Sequence, residues 1–351
     1  MMRQRPISVG ISGCGAAVRL YHAHALQRLQ SEGMLKVECL FDPDQRALAG
    51  VAEIFPLARR ASRFADITAA PPELVLIASP PAFHAAQAAA ALRAGSAVLC
   101  EKPLATDAEA ARRVVELARD GGRVLAVGMI RRYLPATRAI REAVQTGAIG
   151  RVRRFHCFEG GPFDWPVGGP SYFTKQDSGG GALMDIGVHA LDLLGWWFGG
   201  CTALSYEDDA MGGVESDCRV KLAFGEVEGV LRISRSWRRP NLYEIAGTKG
   251  RLVWEVNEAE RVGLWLEDGP YRLEAAVREG PPSGFHDALL EQLRAIGSAL
   301  AGGPHRFVSA EEALPALELV DRCYADRRVM EMGWLDAEER RAAEVLAGSA
   351  A

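Results

Sequence analysis

No run of apolar residues in this sequence is both long enough and clean enough to cross a membrane. The nearest approach, the 19 residues from Leu74 to Leu92, has no formal charge with histidine neutral, but Pro80, Pro81, His84 and Gln87 interrupt it. The start does not read as an export signal, because the apolar run after Arg5 and Pro6 meets Gly10, Gly13 and Gly15 almost at once. A long basic block is also missing: 41 Lys and Arg stand against 45 Asp and Glu, a net charge of −4, which argues against a nucleic-acid partner. The seven cysteines, Cys14, Cys39, Cys100, Cys157, Cys201, Cys218 and Cys323, form no CxxC pair and have no histidine at metal-ligand spacing. No metal site is expected, and most of these thiols are expected as small buried side chains. Repeats and low-complexity linkers are lacking too. These absences leave a cytoplasmic enzyme or small-molecule binding protein.

What is present is core material. With 48% of its 351 residues apolar and 25% charged, the chain suits a globular fold of about two domains. Short apolar runs at Ile7 to Ile11, Val37 to Phe41, Leu74 to Ala78, Ala97 to Cys100 and Val124 to Val127 alternate with helix-forming stretches. Those stretches include Ala16 to Leu29, Ala82 to Ala94, and a helix capped by Thr106 and Glu109. The alternation predicts an α/β domain with a Rossmann-type parallel sheet over residues 1–130. Beyond it, Arg151 to Phe158, Ser216 to Phe224, Glu226 to Ser234, Leu242 to Ala246 and Leu252 to Val256 read as strands, and Ala182 to Phe198 as a helix. The expectation for 131–351 is a second α/β domain with a mostly antiparallel open sheet, one face covered. Late helices start after Ser283 and after Ser309 with Glu312, and can pack back on the first domain. A last helix over Leu335 to Leu346 precedes a frayed end.

Gly13-Cys14-Gly15-Ala16-Ala17-Val18 falls where the first strand turns into a helix, so backbone amides there can face a pyrophosphate. Val18 occupies the place of the usual third small residue, which would push helix and strand apart or shift the helix. Asp42 follows the second strand, where an acidic side chain can accept hydrogen bonds from an adenosine ribose and repel a 2′-phosphate. NAD is therefore the preferred cofactor. Arg46 keeps NADP open, since it could bend toward the ribose; otherwise it is an exposed helix residue.

Lys102 lies at the carboxyl end of the strand ending at Cys100, the side on which open α/β sheets bind ligands, and Pro103 restrains it toward an extended backbone. Gly179-Gly180-Gly181 leads into Asp185, His189 and Asp192, whose spacing puts them on nearly one helical face. The glycines would let the backbone approach a cofactor or substrate. Hydride transfer from an alcohol needs an acceptor for the hydroxyl proton, a role His189 suits near neutral pH. Asp185 can orient a hydroxyl or the imidazole, and Lys102 can stabilise charge on the oxygen, with Lys102 and His189 free to exchange roles. The plainer alternative is a solvated Lys102, an Asp185 at a helix start and a His189 satisfied in the core.

The Gly13 and Gly15 turn, Glu101-Lys102-Pro103, and Gly179-Gly180-Gly181 followed by Asp185, Gly187 and His189 together resemble the Gfo/Idh/MocA oxidoreductase family over most of residues 6–327. The resemblance implies an NAD- or NADP-binding first domain and a second domain that supplies a sugar or polyol pocket. It also implies a homodimer or homotetramer associating through the second sheet. By the same resemblance Lys102, Asp185 and His189 form the catalytic group, and Glu101 lies near the nicotinamide ribose. Ser79, Pro80 and His84 flank the cofactor loop, although His84 could equally cap or pack its helix. Val18 and Ile130 depart from the pattern. Arg131, Arg132, Trp165, Tyr172 and Lys175 are further pocket candidates, the aromatics for a sugar's apolar face and the cations for an acidic group. The leading expectation is reversible oxidation of a secondary hydroxyl on a sugar, inositol-like polyol or related carbohydrate. Redox-neutral cleavage or elimination with retained NAD, and a catalytically silent nucleotide-binding regulator, are the alternatives.

Overall fold

Five short apolar runs and the exposed pair Arg59–Arg60 join into one parallel sheet. In the computed structural model, which describes residues 5–349 apart from 168, 257, 267–268, 275–283 and 305, these strands are β1 (Ile7–Ser12), β2 (Leu35–Phe41), β3 (Arg59–Arg60), β4 (Leu74–Ile77), β5 (Ala97–Cys100) and β6 (Leu125–Val127). Their order is β3-β2-β1-β4-β5-β6, every pair parallel, so the strand order reverses between β1 and β4. All residues of β4 and β5 are buried, which explains their unbroken apolar sequences.

Helix boundaries differ from expectation where a better cap stood one residue away. The helix expected after Thr106 is Ala108–Asp120, and Asp107 caps it, its Oδ1 accepting from Ala110 N–H at 2.7 Å. The Ser309 and Glu312 box forms as drawn: Ser309 N–H donates to Glu312 Oε2 at 3.0 Å and Glu312 N–H to Ser309 Oγ at 3.3 Å. Ser283 lies outside the described residues. The last helix, Ala337–Ser349, runs past Gly348, where a frayed end was expected.

The second sheet has nine strands: β7 (Val152–Gly160), β8 (Ala203–Asp208), β9 (Asp217–Phe224), β10 (Val227–Ser234), β11 (Leu242–Gly247), β12 (Gly250–Glu255), β13 (Arg261–Leu266), β14 (Gly269–Glu274) and β15 (Arg327–Val329). Their order is β14-β13-β12-β11-β7-β10-β9-β8-β15, antiparallel except at β7/β10 and β8/β15. Cys218, Val220, Leu222 and Phe224 of β9 are all buried, the face that the period-two pattern marks as inward. Helix Val188–Phe198 contributes buried Leu191, Leu193, Leu194 and Trp197, each leucine worth about 2 kcal/mol of apolar burial. Trp197 stands edge-on to Tyr243 at 6.2 Å and donates from Nε1 to Thr137 O at 3.0 Å.

The chain divides into two compact units. One comprises Met1–Tyr133, Pro166–Tyr172 and Phe285–Leu314; the other comprises Leu134–Trp165, Phe173–Gly284 and Pro315–Ala351. Helix Phe285–Leu300 belongs to the first unit, where buried Gln292 donates to Val127 O at 3.1 Å and Arg294 pairs with Glu32 at 2.8 Å. Among the described residues no helix is long and apolar enough to cross a membrane.

Candidate active site

The first unit builds a tight turn after β1. Gly13 has φ +92°, and a Cβ on it would overlap the backbone of Ala78 and Ser79, so no other residue fits. Gly15 differs: a Cβ there would meet nothing within 4 Å. One glycine closes the turn against β4, while the other leaves its side open for an approaching diphosphate. Asp42 braces the turn, accepting from Cys14 N–H at 2.6 Å through Oδ2 and from Asp44 N–H at 2.8 Å through Oδ1. Its carboxylate is thus oriented by two amides and only half-buried, which suits it to accept ribose hydroxyls. The Cys14 thiol is pushed up to about 12 by burial and then by the Asp42 charge, so it stays protonated. Ala16 opens the helix, but Val18–His22 winds as a π turn before Ala23–Ser31 continues as α-helix. The wider turn takes in Val18, fully buried, where a smaller residue is usual.

That π turn delivers a residue the sequence reading missed. His22 is fully buried, and its Nε2 lies 2.6 Å from Glu101 Oε1. Glu101 Oε2 accepts from Lys102 N–H at 3.2 Å, and Lys102 emerges partly exposed at the end of β5, joined to Pro103 by a cis peptide. A Cβ at residue 128 would stand 2.8 Å from Glu101 Oε2, so Gly128 makes room for the carboxylate. Burial opposes the Glu101 charge, but the His22 hydrogen bond and the His22 and Lys102 charges together hold it below the usual carboxylate range. His84 is buried, with Nδ1 2.6 Å from Pro103 O and Nε2 2.6 Å from Ser79 O. Each ring nitrogen faces a backbone carbonyl, so His84 ties the Ser79 loop to the Lys102 loop; burial lowers its basicity, and the two carbonyls, which favour a proton on both nitrogens, oppose that only in part. Ser12 and Ser79 both donate to Gln87 Oε1 at 2.9 Å. Pro80 then precedes helix Pro81–Ala94.

In the second unit, Leu183–Gly187 is again a π turn, followed by helix Val188–Phe198. Asp185 and His189 are half-buried, whereas Asp192 is only 4% exposed. The π turn ends before His189 and Asp192, which stand three residues apart in the same α-helix, and Asp192 is the more deeply buried of the two. The Asp185 carboxylate pairs with Arg235, the residue after β10, and the Arg235 guanidinium lies 4.8 Å from the Phe163 ring centroid. Arg235 carried no sequence signal.

The glycine run packs against the protein itself. Gly179 ends helix Lys175–Ser178 with φ +81°. A Cβ on Gly180 would overlap the Tyr324 hydroxyl, and one on Gly181 would overlap the Glu215 backbone. These two glycines admit the protein's own Tyr324 and Glu215.

The remaining candidates are dispersed. Arg131 is 8% exposed in the 3-10 turn Ile130–Tyr133, and Arg132 reaches Glu312 O at 3.1 Å. Trp165 and Tyr172 are both partly buried but belong to different units; Lys175 is exposed, its Nζ 6.0 Å over the Tyr324 ring. Arg46 is exposed on the first turn of helix Gln45–Ile54, whose cap is Asp44.

A parallel sheet with a glycine turn, an aspartate at the end of its second strand and a lysine beyond its fifth is the architecture of a dinucleotide-binding α/β protein. The chain belongs to the Gfo/Idh/MocA oxidoreductases: residues 7–129 match that family's NAD-binding Rossmann fold and residues 137–253 its C-terminal domain. It is 28% identical over 325 residues to dTDP-3,4-didehydro-2,6-dideoxy-alpha-D-glucose 3-reductase of Actinomadura kijaniata, covering 90% of this chain and 94% of that one. It is 31% identical over 223 residues to the NADP(+) scyllo-inositol 2-dehydrogenase of Bacillus subtilis (strain 168), covering 62% and 67%. Other curated relatives are matched over little more than half their length, 54% and 56% in two cases. Levoglucosan dehydrogenase, solved with NADH and levoglucosan, superposes with a TM-score of 0.81 at 20% identity, covering 92% of this chain and 97% of that one, a likeness of fold.

Proposed function

We propose that this protein is an NAD(P)-dependent dehydrogenase or reductase that moves a hydride reversibly between nicotinamide and a secondary hydroxyl or keto carbon of a sugar, an inositol-like polyol or a related small carbohydrate. The observation that carries the reading is the position of Lys102. It leaves the carboxyl end of β5, two strands from the glycine turn and one strand beyond the reversal of strand order, on the edge of the sheet where α/β proteins hold their ligands. The relatives add the substrate class, since their names concern a deoxyglucose derivative and an inositol.

When bound, the nicotinamide supplies the hydride acceptor or donor. Gly13, Gly15 and Ala16 hold the diphosphate side, Asp42 accepts from the adenosine ribose, and Glu101, Ser79 and Pro80 shape the loops beside it. His84 contributes by holding those loops together. In oxidation the His189 imidazole takes the hydroxyl proton, and in reduction it returns it. The Lys102 ammonium donates to the same oxygen and stabilises the charge that develops there. Asp185, held by Arg235, accepts from a neighbouring substrate hydroxyl. Arg131, Trp165 and Tyr172 complete the substrate set. Asp42 makes NAD the preferred cofactor, because a 2′-phosphate would meet its carboxylate.

Purified protein given NAD or NADP and a panel of polyols and sugars is expected to produce reduced cofactor only with substrate present. Confirmed cofactor binding without turnover across the panel would overturn the reading. The same reading makes the protein a cytoplasmic homodimer or homotetramer joined through the nine-stranded sheet; light scattering that finds a monomer would remove this part.

A further inference from the structure

Glu215 lies just before β9 and is 4% exposed. Its Oε2 accepts from Gly181 N–H at 2.9 Å, and its Oε1 from Leu183 N–H at 2.9 Å and from the Tyr324 hydroxyl at 2.8 Å. Its backbone carbonyl accepts from Ala182 N–H at 2.9 Å. One residue therefore satisfies three successive amides at a helix start, groups with no partner inside the helix. A carboxylate there also faces the positive end of the helix dipole. Gly180 and Gly181 are the residues that allow Tyr324 and Glu215 to come this close. The arrangement connects directly to a proposed reacting group, because Asp185 N–H donates to Gly181 O at 3.0 Å.

We infer that Glu215 is a positioning residue for the reaction: with Tyr324 it clamps the turn that precedes helix Val188–Phe198, and so fixes where Asp185 and His189 stand. The inference rests on the assignment of Asp185 and His189 to the chemistry.

The clamp has a protonation state. Facing Glu215 are Tyr206 and Asp208 from β8, Cys218 from β9, Cys323 and Tyr324 from helix Ala310–Ala325, and Arg327 from β15. Arg327 is the one cation of the six, and it is committed to Asp208, with Nε at 2.7 and 2.8 Å from the two carboxylate oxygens. Three donors aim at the Glu215 carboxylate, so its ionised form satisfies them, and a proton on it displaces one. Burial, with Asp208 adding to it, nevertheless pushes the carboxyl up to about 7. Within the folded chain, opening the clamp strips these donors while the carboxyl stays buried, which raises it further; ionisation therefore holds the clamp closed above neutrality and protonation loosens it below.

Hydrogen exchange at the Gly181 and Leu183 amides of the full chain tests this, corrected for intrinsic exchange and followed from about pH 5.5 to about pH 8.5. Wild type is expected to gain about tenfold protection with a midpoint near 7. E215Q turns an amide NH2 toward one of the donors, and is expected to show low protection at every pH. Its kcat is expected to fall about tenfold or more, with NAD affinity within about twofold of wild type. Y324F removes one donor and keeps the amides, so the midpoint and the acid limb of kcat should both move to higher pH; a limb set by His189 alone would stay. Equal protection in E215Q and wild type, or an unmoved midpoint in Y324F, overturns the clamp. Lost protection with unchanged kcat overturns its link to catalysis. A wild type that turns over no polyol overturns the functional reading, while the exchange measurement still decides the clamp.

Discussion

Glu101 in the first unit and Glu215 in the second are both carboxylates beside proposed reacting groups, each with a neighbouring glycine that makes room for it. Glu101 has His22 and Lys102 for partners and is held below the ordinary range. Glu215 has amides and a phenol but no cation of its own, and is pushed up to about 7. Hydrogen bonds alone do not offset desolvation here; a charge does. The first unit thus keeps its carboxylate ionised across the physiological range, whereas the second places a titration in the middle of it.

The comparison breaks most visibly at the proposed reacting groups. Lys102→Ala is expected to lower kcat by about 10²- to 10³-fold through lost stabilisation of the substrate oxygen, with a small change in Tm because Lys102 is partly exposed. His189→Ala should cost about 10²- to 10⁴-fold through lost proton transfer. Steady-state reduction of NAD by the preferred polyol measures both. A Lys102→Ala enzyme with wild-type kcat would take that residue out of the reaction.

A smaller effect separates the two glutamates by stability. Glu215 ionises near 7 in the folded chain against an ordinary 4.5. Its raised value favours the folded state fully below about pH 4.5, and that stabilisation is lost as pH rises through about 7. The span corresponds to about 3 kcal/mol, and E215Q should flatten this part of the denaturation profile. Glu101 has the opposite sign: its contribution is present above the ordinary range and is lost as pH falls through its lowered value. Removing its partner by His22→Ala should cost about 2 kcal/mol, less than for a sealed pair because the Glu101 side chain keeps 21% of its exposure. His22→Gln, which can still donate to Oε1, should recover most of the loss. Equal melting curves for His22→Ala and wild type would remove the pair as a support.

Much of this contrast was legible in the chain, but unevenly. Gly13, Gly15, Asp42 and Lys102 could be found because strand–turn–helix patterns place a glycine turn and strand ends without tertiary knowledge. The capping box at Ser309 and Glu312 was local and formed as drawn. Both π turns escaped, because a one-residue widening of a helix has no composition of its own, and with them went His22. Glu215, Tyr324 and Arg235 lie 32 to 109 residues from the groups they hold, so no local period could connect them. The one available sign was the glycine run itself, where a side chain would meet Tyr324 and Glu215.

Asp42 gives the finest test of the same principle, because it is a carboxylate tied by amides but left partly open. Cys14 and Asp44 N–H groups orient both of its oxygens, so Asp42→Ala removes a turn brace and a ribose acceptor together. Affinity for NAD is expected to fall about tenfold, or about 1.4 kcal/mol. Affinity for NADP should fall less or rise, since the carboxylate that repels its 2′-phosphate is gone. Asp42→Asn separates the contributions: it retains one acceptor for the Cys14 amide while losing the charge, so it should keep the turn and shift the cofactor ratio. Titrating both cofactors against both variants by fluorescence checks this, and an unchanged NAD to NADP ratio in Asp42→Asn would mean that the charge at residue 42 does not select the cofactor.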